Sequence, residues 1–233
     1  MRLHLFVQMA LAIAAASPPA AATRSFTITG FDRIRVDGPY KVTLTNNVAP
    51  FARATGPLGA LDRVSIDVQG RTLIVRPAVS AAAGNRSSQR EGPVEIAVGT
   101  HELTQATVNG SGSLSIDKVR GLSFELSVQG AGGARIQRID VDRLKLWLSG
   151  SGSSTVAGKA ATLTTSVLGT ALLDAAALTA KDATIAVEGT STVRLNVADS
   201  AKVNARGPAI VELGGRPSCT LRAEGSSEVT GCR

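Results

Sequence analysis

The chain has 233 residues, a formal charge of +7 and an apolar content of 43%, with only seven aromatic residues: five Phe, one Tyr and one Trp. The charge is spread along the chain and not interleaved with aromatics, which argues against a nucleic-acid-binding surface and reads as a solvated basic exterior able to associate loosely with anionic surfaces or polysaccharides. No stretch after the first 22 residues is long and apolar enough for a membrane span, so the chain is not expected to be membrane-embedded.

The N-terminus, residues 1–22, has the layout of a secretory signal. Met1-Arg2-Leu3-His4 is a short basic start and Leu5 to Ala16 is an apolar run; Pro18-Pro19 breaks any helix, and Ala20-Ala21-Ala22 offers small residues for cleavage. A retained N-terminal anchor is the alternative. No Cys lies near the cleavage site, so attachment of a lipid there is not expected. The remainder, residues 24–233, is expected to form a single exported domain, periplasmic or extracellular at the cell surface, and not lipid-anchored.

Residues 24–107 read as β-rich but irregular. Phe31, Ile34, Val36, Val42 and Leu44 alternate around Gly38-Pro39. Val64, Ile66 and Val68 are placed to pair with Leu73 and Val75 across the turn-like Gln69-Gly70-Arg71-Thr72, and Val94, Ile96 and Val98 lead onward. Pro77 to Pro93 is small, polar and basic, as in a surface loop.

From residue 108 one phrase recurs: Val108-Asn109-Gly110-Ser111-Gly112, Val128-Gln129-Gly130-Ala131-Gly132 and Leu148-Ser149-Gly150-Ser151-Gly152, then Gly169, Gly189, Gly207 and Gly225 at intervals of 18 to 20. A fixed period of this size marks a solenoid. Apolar residues alternate with polar ones before each glycine (Phe124-Leu126-Val128, Leu144-Leu146-Leu148) and after it (Leu114-Ile116, Val193-Leu195), which means strands with one buried face. The expected unit is strand, glycine turn, strand, and 108–233 is read as the regular rungs. Stacking of these rungs would build columns of aliphatic side chains, so few aromatics are needed.

The opening Phe31-x-x-Ile34-x-Val36-x-Gly38, the Thr72-Leu73-Ile74-Val75 strand and the Val108-Asn109-Gly110-Ser111-Gly112 series together resemble the bacterial "putative auto-transporter adhesin, head GIN domain" family over essentially the whole chain after its signal. The resemblance implies an all-β domain, a right-handed parallel β-helix-like solenoid, in exported proteins with no established enzymatic activity. Two departures stand out. Gly99-Thr100-His101-Glu102 occupies the connection where relatives usually carry a Pro, and self-transport by an appended translocator is not expected.

No catalytic, metal or cofactor site is expected. His101, the sole His beyond the signal, has no nucleophile motif beside it. The Gly-Ser-Gly phrases lack the Lys of a phosphate-binding loop. Of Asp117, Asp140, Asp174, Asp182 and Asp199, only Asp140 and Asp199 share an offset from their lead glycine, on distant rungs, so no carboxylate ladder for calcium or for acid–base work is formed. Cys219 and Cys232, the only cysteines, are expected to form a disulfide at the C-terminal end.

One surface feature invites a ligand. In Leu144-Lys145-Leu146-Trp147-Leu148 the leucines take the inward face, which sends Trp147 and Lys145 outward, where they could stack on a sugar ring or anchor a partner. Cover by the N-terminal portion or by a second subunit is the alternative. The function expected is a non-catalytic envelope or surface binding module, adhering to a cell-surface glycan or protein or self-associating. A carbohydrate-active β-helix enzyme and a purely structural envelope module are the rivals.

Overall fold

In the computed structural model, residues 21–78 and 93–233 are described; most of the signal segment and positions 79–92 of the Pro77–Pro93 loop lie outside them. Among the described residues sixteen strands join in one continuous sheet. The regular part begins with β8 (Gln105–Gly110) and runs through β9 (Ser113–Gly130), β10 (Gly133–Gly150), β11 (Ser153–Gly169), β12 (Leu172–Gly189) and β13 (Thr192–Arg206) to the shorter β14 (Ile210–Gly214), β15 (Ser218–Glu224) and β16 (Glu228–Thr230). All of the pairings among these strands are parallel. The expected all-β solenoid is what forms.

Each long strand bends in its middle and serves two ladders. The first half of β9 lies between β3 (Lys41–Asn46) and β10, and its second half between β8 and β10. The sharper corner between rungs falls at the lead glycines. Gly110, Gly130, Gly150, Gly169, Gly189, Gly207 and Gly225 all have positive φ. Conformation is only half of the reason for glycine there. A Cβ on Gly169, where φ is +104°, would lie 2.5 Å from the carbonyl oxygen of Gly150 one rung away. The corners are also tied rung to rung: Ala131 N donates to Gly110 O at 2.9 Å, and Ser151 N to Gly130 O at 2.9 Å.

Alternation then fills the interior. Phe124, Leu144, Leu163, Ala183, Ala201 and Cys219 stand in register on successive rungs, so the column shrinks from an aromatic ring to a thiol-sized side chain. A neighbouring column runs Leu126, Leu146, Thr165, Ile185, Val203 and Leu221. Its members are buried up to Val203, whereas Leu221 in β15 is 48% exposed. Cys219 and Cys232 are bonded with their Cα atoms 5.7 Å apart, which ties β15 to the segment after β16. Closing a loop of this length contributes about 3 kcal/mol in the chain-entropy account, at the end where burial is thinnest.

The N-terminal part is more regular than its sequence suggests. β2 (Arg33–Asp37) pairs in parallel with β8, and β3 with β9, so Gly38 between them occupies the same corner as the later lead glycines, with φ of +109°. A further level follows: β6 (Thr72–Pro77) is parallel to β2 and β7 (Glu95–Thr100) is parallel to β3. Two solenoid levels thus precede the regular rungs, stacked in an order the chain does not follow. The end is covered by antiparallel strands: β5 (Val64–Gln69) against β6, β4 (Phe51–Gly56) against β7, and β1 (Ala22–Phe26) against β4, with the short helix α1 (Leu58–Leu61) between β4 and β5. The expected pairing of the Val64–Val68 stretch with Leu73 and Val75 is present, as Ile66 with Val75 and Val68 with Leu73, while Val64 pairs one step further on with Pro77, and Gly70 turns the hairpin.

Candidate functional site

Two-residue alternation along β10 divides its side chains without exception over Leu144 to Leu148. Leu144, Leu146 and Leu148 are at most 2% exposed, while Lys145 and Trp147 face outward and Trp147 is 43% exposed. Trp147 stands in register between Ser127 of β9 and Ser166 of β11, and Ala186 follows on β12. Small side chains on both flanking rungs leave the indole as the one large group on this part of the face. Lys145 stands between Glu125 and Thr164 in the next outward column and makes no ion pair among the described residues.

Two shallow recesses begin beside the position of the indole, one at Lys145 and one at its register partner Ser166, and Trp147 itself lines neither. The first, of about 540 Å³, is lined by Arg33, Gln105, Glu125, Arg143 and Lys145. In the second, about 110 Å³ lies among Ser166, Leu168, Ala186, Glu188, Asn204 and Arg206. A strip of polar and charged groups with an aromatic step at its centre suits an extended ligand with apolar ring faces and many hydroxyls, since an aromatic face takes the C–H side of such a ring while the polar rim takes its hydroxyls. Lys145 and Trp147 were legible from alternation alone. Arg143 obeys the same alternation on β10, whereas Arg33 and Arg206 come from β2 and β13 and meet this face only through the sheet register.

His101 is exposed just after β7. Asp140 stands in register with Arg120 and Lys159, and Asp182 with Thr162 and Ser200, so neither is aligned with another carboxylate on the neighbouring rung. Among the described residues no three His, Cys, Asp or Glu side chains cluster as metal ligands would, and no helix is long and apolar enough to cross a membrane.

The architecture and the surface together define a class: a β-solenoid scaffold that displays its outer face. The chain belongs to the family described as "Putative auto-transporter adhesin, head GIN domain", whose model matches residues 30–217. That description names an adhesin and not an enzymatic activity. Solved structures show the same fold. A "putative adhesin" from Bacteroides fragilis superimposes with a TM-score of 0.80 at 17% identity, over 90% of this chain and 96% of the other. A "putative lipid binding protein" from Parabacteroides distasonis gives 0.72 at 19%, over 90% and 95%. A "putative adhesin" from Parabacteroides merdae gives 0.70 at 18%, over 90% and 95%. A comparison with curated proteins finds no match.

Proposed function

We propose that this chain is an exported, non-catalytic binding module that holds an extended surface ligand, a glycan strand in the first place, across the outward face centred on Trp147. The carrying observation is the half-exposed indole set between two serines in register, with Lys145 beside it, one recess opening at Lys145 and another at Ser166. Export is supported by the signal-like residues 1–22 and by the Cys219–Cys232 disulfide, a bond that persists in oxidising compartments. The family's adhesin description agrees with a binding role.

A stacked aromatic with a neighbouring cation is a common source of affinity for sugars because the ring loses little conformational entropy on binding. Trp147→Ala should therefore lower glycan retention at least tenfold while leaving the oligomeric state unchanged. Unchanged retention would refute the assignment of this face. Loss of a dimer in the variant would instead identify Trp147 as a subunit contact. Cleavage of a polysaccharide, abolished by changing one Asp or Glu, would replace the binding module by an enzyme.

A further inference from the structure

A second surface feature lies at the bend between the two ladders, away from the Trp147 strip. Asn46 and Asn47 at the end of β3, His101 and Glu102 after β7, Lys118 and Arg120 of β9, and Arg138 of β10 line a recess of about 410 Å³. These positions come from four separated stretches of sequence and are brought together by the interleaved order of the first levels.

The charges here are arranged differently from those elsewhere on the solenoid. There an in-register cation meets either a carboxylate, as Lys41 with Glu95 at 2.7 Å, Arg194 with Glu212 at 2.9 Å and Arg206 with Glu224 at 3.2 Å, or a neutral side chain, as Arg135 with Ser115 and Thr155 and Lys202 with Thr184 and Thr220. Lys118 and Arg138 are also register partners, yet both are cations. Like charges directly opposite each other in a sheet are destabilising. Neither of them, nor Arg120, makes an ion pair among the described residues. The recess contains one carboxylate, Glu102, whose Oε1 lies 3.7 Å from the Cβ position of Gly121 at the bend. Asp140 stands in register with Arg120 just outside it.

The recess is also built. Asp117 Oδ1 accepts from the backbone N–H of Asn46 at 2.9 Å and of Lys118 at 2.6 Å, which fastens the end of β3 to the bend of β9. Asn46 is buried and its Oδ1 accepts from Asn47 N at 3.0 Å, while Asn47 holds a left-handed φ of 65°. Donors and cations therefore converge from a fixed wall and not from free chain ends.

The geometry points to an anion site of monosaccharide size: Lys118 and Arg138 grip a phosphate or carboxylate carried on a sugar, Arg120 adds charge at the rim, and Glu102 with Asn47 meets its hydroxyls. An anion between the two cations would remove their mutual repulsion, and paired charge-assisted hydrogen bonds are the strong ones at such a site.

Calorimetric titration at low ionic strength with glucose 6-phosphate, glucose and inorganic phosphate tests this directly. Glucose 6-phosphate should bind, glucose should not, and inorganic phosphate should bind more weakly than the sugar phosphate. Lys118→Gln and Arg138→Gln should each weaken glucose 6-phosphate at least tenfold, whereas Trp147→Ala should leave it unchanged. Circular dichroism confirms that each variant is folded, and raised salt should weaken binding to the unaltered protein without recourse to any variant. Failure of glucose 6-phosphate to bind, equal affinity for glucose, or folded variants that bind as before would overturn the site. Because Trp147→Ala is included, failure here is distinguishable from failure of the Trp147 surface.

Discussion

Asp37 and Asn109 are 72 residues apart in the chain and one rung apart in space, joined by a hydrogen bond of 2.7 Å from Asn109 Nδ2 to Asp37 Oδ1. The same carboxylate holds Arg35 at 2.9 Å through its other oxygen. This contact fastens the displaced first rung to the regular stack. Asp37→Ala should lower stability by about 1–2 kcal/mol, the usual value for a part-buried hydrogen bond to a charged group. Chemical denaturation read by circular dichroism measures it, and a change below about 0.5 kcal/mol would show that the strand register alone carries the junction.

The corner glycines separate two effects that glycine usually combines. Gly70 has φ of +62° with nothing within 4 Å of its Cβ position, whereas Gly169 has φ of +104° and a backbone oxygen 2.5 Å away. Gly70→Ala should cost about 1 kcal/mol, the conformational part alone. Gly169→Ala adds a clash that no rotamer relieves and should cost about 3 kcal/mol or more. Equal losses would mean that rung spacing at the corner yields easily.

How far the sequence foretold this fold follows from the same glycines. From Gly110 to Gly225 the spacing is near-constant, so period and alternation reveal rung, corner and inward column together. Gly38 obeys the same conformational rule, but the strands between β3 and β8 form another level and its antiparallel cover before the chain returns to stack on β2. Periodicity along a chain cannot register a rung whose neighbour is so distant in sequence. The candidate surfaces divide in the same way: Trp147 and Lys145 are set by local alternation, while the cationic recess at Lys118 and Arg138 needs the strand order to exist at all.

Thr165 interrupts an aliphatic column. It lies between Leu146 and Ile185, is 1% exposed, and its Oγ1 has no hydrogen-bond partner among the described residues. Thr165→Val keeps the shape and removes the buried hydroxyl, so it should raise stability by about 1 kcal/mol. A thermal or urea denaturation comparison checks it; a destabilised variant would show that the hydroxyl is satisfied in solution by a bound water.

Tyr40 gives the fold a pH limit on the alkaline side. Burial raises its pKa above the ordinary value of 10.0, and its hydroxyl donates to Arg63 O at 3.3 Å. The neutral form is the one the folded state favours, so its contribution is complete below the unfolded pKa and is lost as pH rises through the folded pKa. Stability should therefore fall above about pH 10, and Tyr40→Phe should flatten that fall. Since Tyr40 is the only tyrosine, its ultraviolet titration in the folded protein reads the shift without interference; an ordinary midpoint would contradict the burial argument.

Trp147 is likewise the only tryptophan, so its emission reports on the proposed binding face and nothing else. The most direct test is a fluorescence titration of the unaltered protein with a panel of neutral and acidic oligosaccharides, with calorimetry on Trp147→Ala in parallel. At least one oligosaccharide should shift the emission saturably, and the same sugar should bind the alanine variant at least tenfold more weakly. Sugars that bind without moving the emission, affinity retained in Trp147→Ala, or no binding across the panel would contradict a glycan-binding role for this face.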